Sequence, residues 1–117
     1  MKRLIVLLVC TPTLAQADII TCRFTEPFIT TTYSTTQSTL TVRYETEARE
    51  DVLRNVSFQI LAAGSFELWE ADRRPLHRLK LSHQGSDGMS DRKYPYAVEW
   101  MREGRRGGCT SLHLAAK

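Results

Sequence analysis

His83, Ser86 and Asp87 sit close together in the chain and carry the three residue types of a hydrolase triad. Ser86 has no strand-turn-helix elbow around it, and loop residues so close in sequence seldom converge into triad geometry. His77, His83 and His113 lack the paired spacing and the carboxylate at a fixed offset that a metal site requires. The sequence therefore predicts no catalytic residues, no metal and no cofactor. Recognition chemistry remains. The segment from Gly85 to Tyr96 reads Gly-Ser-Asp-Gly-Met-Ser-Asp-Arg-Lys-Tyr-Pro-Tyr, and it places a carboxylate (Asp87), a hydroxyl (Ser90), an ammonium (Lys93) and a phenol (Tyr94) in one turn-forming stretch. These groups can bind a partner's polar atoms by charge-assisted hydrogen bonds, and the same residue types also cap turns. Glu26, before Pro27, and Trp69, on the opposite strand face from Phe66 and Leu68, complete the candidate binding set.

The elements that must hold these residues have period two. Leu40, Val42 and Tyr44 alternate with Thr39, Thr41 and Arg43, and Val56, Phe58 and Ile60 alternate with Asn55, Ser57 and Gln59. Phe66 and Leu68, Leu79 and Leu81, and Tyr96, Val98 and Trp100 repeat the pattern, with a turn at Ala63-Gly64. Strands are also expected at Ile19 to Thr25, at Phe28 to Tyr33, and from Cys109 towards Leu114. His77 would share a face with Leu79 and Leu81. Glu45 to Leu53 is the one stretch with helical character, and its charges suit an exposed turn or a long loop. Arg73-Arg74 and Arg105-Arg106 read as solvated turns. About seven to eight short strands separated by turn signals predict an all-β domain, a small antiparallel β-barrel or sandwich. A closed barrel is the preferred form, because closure removes exposed edges.

At the start of the 117-residue chain, Met1-Lys2-Arg3, the apolar run Leu4 to Val9, and Ala15-Gln16-Ala17 before Asp18 have the form of a cleavable secretory signal. The apolar run is shorter than the ~20 residues of a membrane-spanning helix, so a spanning protein is not expected. Val9 occupies a position where a lipoprotein signal calls for a small residue before its cysteine, here Cys10. Removing residues 1–17 leaves 100 residues in a single domain, 18–117, and lowers the formal charge from +3 to +1. That removes the electrostatic argument for a nucleic-acid partner. Two cysteines remain, Cys22 and Cys109, one near each end, and in a periplasmic or secreted chain they read as one disulfide.

Thr25-Glu26-Pro27-Phe28, then Asp87-Gly88-Met89-Ser90 with Tyr94-Pro95, then Gly108-Cys109 resemble the motifs of a family of small uncharacterised bacterial envelope proteins. That family's pattern is Thr-Glu-Pro-Phe-Trp, Asp-Gly-Met-Ser with Tyr-Pro, and Gly-Cys. Ile29 stands where the family usually has tryptophan, and Ser86 where cysteine is common. The resemblance implies a periplasmic β-rich domain with no assigned activity. A fainter resemblance, carried by Ser90, Lys93 and Tyr94, is to the periplasmic and membrane-bound inhibitors of C-type lysozyme, although the Gly-Lys-Tyr spacing of their loop is not reproduced. It implies that Ser90 and Lys93 enter the enzyme's cleft and hydrogen-bond its paired carboxylates. The expected function is an exported, non-catalytic envelope interaction or ligand-binding module using the Gly85 to Tyr96 loop. The alternative is a C-type lysozyme inhibitor, with a hydrolase a distant third. The exported protein should begin at Asp18, which intact-mass spectrometry will read directly, whereas a diacylglyceryl-modified Cys10 species would overturn this assignment.

Overall fold

Apolar and polar residues alternate along most of the chain because each strand has one face against the core and one towards solvent. The computed structural model describes residues 18–25, 28–89, 91–101 and 103–112. Residues 1–17, the expected secretory signal with Cys10, and Glu26, Pro27, Ser90 and His113, lie outside the described residues. Nine strands occur among those described: β1 (Ile19–Phe24), β2 (Ile29–Ser34), β3 (Thr39–Tyr44), β4 (Arg49–Leu53), β5 (Ser57–Ala62), β6 (Ser65–Trp69), β7 (Pro75–Gly85), β8 (Tyr94–Trp100) and β9 (Arg105–Ser111). All neighbours pair antiparallel in one sheet of order β4-β3-β2-β1-β9-β8-β7-β6-β5.

The count is nine rather than seven to eight, because Glu45 to Leu53 is not a long loop. It is a turn followed by β4, whose residues are almost all exposed, so no apolar alternation marks it. Arg105 and Arg106 likewise belong to β9 rather than to a turn.

The chain's first and last strands meet at the centre of the sheet. Cys22 and Cys109 face each other in the β1–β9 register and form the disulfide, with their Cα atoms 4.0 Å apart. The bridge spans a sequence separation of 87 residues, and in the chain-entropy account a loop of that size contributes about 4–5 kcal/mol.

The sheet is curled. Three strands separate β2 from β7 in the sheet, a distance of about 19 Å if the sheet were flat, yet Thr31 Oγ1 and His77 Nε2 share a hydrogen bond of 3.0 Å across the core. Tyr33 donates its hydroxyl to the Val56 carbonyl at 2.7 Å, and Val56 donates its N–H to the Ser38 carbonyl at 2.8 Å, drawing the two ends of the sheet towards each other. Curling stops short of closure. β4 and β5 are joined in sequence but remain the two edges, so the architecture is a half-barrel rather than a closed barrel.

One apolar core fills the concave side. Tyr33, Phe58, Phe66 and Tyr96 run across it as a chain of ring contacts, and Phe24, His77 and Trp100 contact one another with centroids 5.4–5.7 Å apart. His77 does share the core face with Leu79, and it is fully buried. Burial pushes its imidazole from 6.5 down to about 4, opposed by the Leu76 backbone. Folding thus requires the neutral ring. The unfolded chain binds this proton below pH 6.5, the native protein only below about 4, so stability falls as the pH drops through that window. Over the whole window the loss should approach about 3 kcal/mol. Urea unfolding at a series of pH values should show this slope in the wild type and lose it in His77→Gln, and equal slopes in the two proteins would refute the assignment.

Candidate functional site

The loop between β7 and β8 is built around two side chains. Asp87 is buried, its Oδ1 accepts the Met89 N–H at 2.8 Å, and its Oδ2 accepts the Tyr94 hydroxyl at 2.9 Å. The first bond shapes a local turn, and the second ties the loop to the first residue of β8. Burial, followed by the bond to Asp87, raises the Tyr94 phenol above its usual range, which keeps it a donor. Ser86 Oγ accepts the Gly88 N–H at 3.0 Å, and the Arg92 guanidinium lies 4.9 Å over the Tyr94 ring.

Two glycines allow the loop to lie where it does. The Tyr94 ring rests on Gly108 of β9, where a Cβ would stand 2.7 Å from ring carbons. Gly88 has φ +80°, and a Cβ there would come 2.4 Å from Thr25 Oγ1 at the end of β1. The loop therefore leans against the β1–β2 turn. The segments containing Thr25 and Phe28, Gly88 and Met89, and Gly108 and Cys109, far apart in sequence, meet on one side of the sheet.

Between the first two of these segments lies an apolar groove of about 290 Å³. Phe24 and Ile29 form its buried floor, and Phe28 and Met89 stand at its mouth, 40% and 62% exposed. Arg23, Thr30 and Glu45 supply its polar rim. Two adjacent, solvent-facing apolar side chains beside a guanidinium and a carboxylate can hold an apolar group and orient its polar neighbours.

The residues expected from sequence are partly brought together here. Asp87 and Tyr94 form the loop's anchor, and Lys93 is exposed beside them. Glu26 and Ser90 lie outside the described residues. Trp69 is elsewhere: it is half-buried on the outer face of β6, its indole N–H donates to Glu67 Oε1 at 2.8 Å, and it lines a different groove. Phe28, Met89 and Arg23 were missed as site residues. A methionine inside an otherwise polar loop, and a phenylalanine directly before a strand rather than within it, were the available signals. No group of three or more His, Cys, Asp or Glu side chains among the described residues could hold a metal ion.

If Asp87 and Tyr94 act as one anchor, Tyr94→Phe should cost about 1–3 kcal/mol by removing the donor to a buried carboxylate. A double-mutant cycle with Asp87→Ala should show coupling of similar size, and additivity within a few tenths of a kcal/mol would refute the anchor. No family model, no curated protein and no solved structure matches this chain.

Proposed function

We propose that the protein is an exported, non-catalytic interaction module that binds an apolar side chain of a partner polypeptide in the groove between Phe28 and Met89. The observation that carries this reading is the pair itself: two exposed apolar side chains held at the mouth of one groove, one of them by a loop whose anchor is buried. An anchored loop loses little conformational entropy on binding, so apolar contact there is not cancelled by ordering. Export is supported by the disulfide in a small domain. No helix among the described residues is long and apolar enough to cross a membrane.

A second reading, inhibition of a C-type lysozyme by Ser90 and Lys93, is favoured by one observation: Lys93 is exposed on this same loop. The two readings separate by experiment. A photo-crosslinking residue replacing Met89 should give a discrete protein adduct in cell-envelope preparations, and Phe28→Ala should abolish it. Absence of any adduct at position 89 would overturn the groove reading. The purified protein should leave C-type lysozyme active at about micromolar concentration. Inhibition that Lys93→Ala weakens by the equivalent of about 2–5 kcal/mol would instead establish the cleft-binding reading.

A further inference from the structure

The outer face near the β5 edge carries a second site whose features are independent of the Phe28–Met89 groove. Glu67 is an unusual residue for an outer strand face, since its side chain is only 5% exposed. Its carboxylate is satisfied from two sides, by the Trp69 indole N–H at 2.8 Å and by Arg78 Nε at 2.6 Å. Trp69 and Glu67 are two residues apart on one strand and share one face, so this bond lays the indole along the strand. Trp69, held in this way, lines a groove of about 550 Å³. That volume falls within the range of about 300–1,000 Å³ typical of small-molecule sites.

The groove lies between two turns at one end of the sheet. Ser57 faces Trp69 in the β5–β6 register, and Gln59 follows on the same face with its amide donating to Ser57 Oγ at 3.1 Å. Asn55 enters from the β4–β5 connection, and Glu70 and Arg73 from the turn between β6 and β7. Asn55 and Arg73 hold positive φ angles of 60° and 70°, conformations uncommon for residues other than glycine. Around the indole the lining is therefore two amides, a hydroxyl, one charge of each sign and the Ala71 methyl.

This combination selects a ligand class. A nucleic acid would need a surplus of cationic groups, and an apolar side chain would need an apolar lining. A pyranose ring has an apolar C–H face that stacks on an indole and an equatorial rim of hydroxyls that both donate and accept. Amides and a serine hydroxyl also do both, and opposed charges on Glu70 and Arg73 suit an uncharged ligand. We propose that Trp69, Asn55, Ser57 and Gln59 form a binding site for a neutral saccharide, with the indole as stacking platform and the amides fixing the orientation of the sugar.

The test uses the purified, isotope-labelled protein with cellotetraose, chitotetraose and maltotetraose as probes. The two tryptophans give two indole N–H resonances, and Trp69→Phe identifies which belongs to Trp69. At least one oligosaccharide should shift the Trp69 resonance saturably while leaving that of the buried Trp100 in place. Ligand-observed saturation transfer should then vanish in Trp69→Ala and weaken about three- to tenfold in Gln59→Ala and in Asn55→Gly. Gly at 55 keeps the positive φ, and Gln59 is exposed on an edge strand, so both variants retain the fold. Phe28→Ala should leave saccharide binding unchanged. No saturable shift with any of the three probes at about 10 mM would overturn the proposal. Binding that survives Gln59→Ala and Asn55→Gly unchanged, or that Phe28→Ala weakens, would place the sugar elsewhere and overturn it equally.

Discussion

The pairing of β1 with β9 is the constraint on which the structure depends. It brings the two ends of the domain side by side in the middle of the sheet, and the disulfide at Cys22 and Cys109 holds that register covalently. A one-residue slip there would turn Ile20, Cys22 and Phe24 away from the core and Thr21 and Arg23 into it. The same register sets Gly108 opposite Arg23, on the face where the Tyr94 ring lands. The location of the Gly85 to Tyr96 loop is therefore a consequence of how β1 and β9 are joined.

From that central pair the sheet extends both ways and curls until contacts cross the core. Thr31 and His77 meet from opposite halves, and Tyr33 reaches the backbone at Val56. The two edges left by incomplete closure differ. β4 carries Arg49, Glu50 and Asp51, with exposed ion pairs from Arg49 to Glu47 and from Arg43 to Glu50 at 3.3 Å each. Such pairs add little stability, but charge on an edge discourages strand addition. β5 has no charged residue, and Ile60, whose register partner is Phe66, is 68% exposed because no strand covers it.

The curl also decides which side chains remain at the surface. Side chains on the concave side are committed to packing, which leaves the outer face and the loops at the strand ends for recognition. On the outer face, buried polar contacts do the positioning: Asp87 ties the loop carrying Met89 to Tyr94, and Glu67 holds Trp69 beside the second groove. In each case a desolvated carboxylate fixes an aromatic ring, and removing its donor leaves an acceptor that water cannot easily reach.

Much of this was legible in the sequence. Alternation in Leu40–Tyr44, Phe66–Trp69 and Tyr96–Trp100 reports a half-buried strand by itself, because the side-chain period of a strand is two whatever its neighbours are. Two cysteines near opposite ends of a domain whose leading residues read as an export signal lead to the expectation of a bridge from redox chemistry alone. The turn chemistry of Asp87-Gly88 and Tyr94-Pro95 marked the loop for the same local reason. Tertiary structure decided the rest. β4 was invisible because an edge strand exposed on both faces has no apolar period to detect. Failure to close was equally hidden, since closure depends on accumulated twist over nine strands, and no short segment encodes it. Phe28 and Met89, separated by 60 intervening residues, became one site only when the loop settled on Gly108 and Thr25, a contact set by packing between strands that are neighbours in space and remote in sequence.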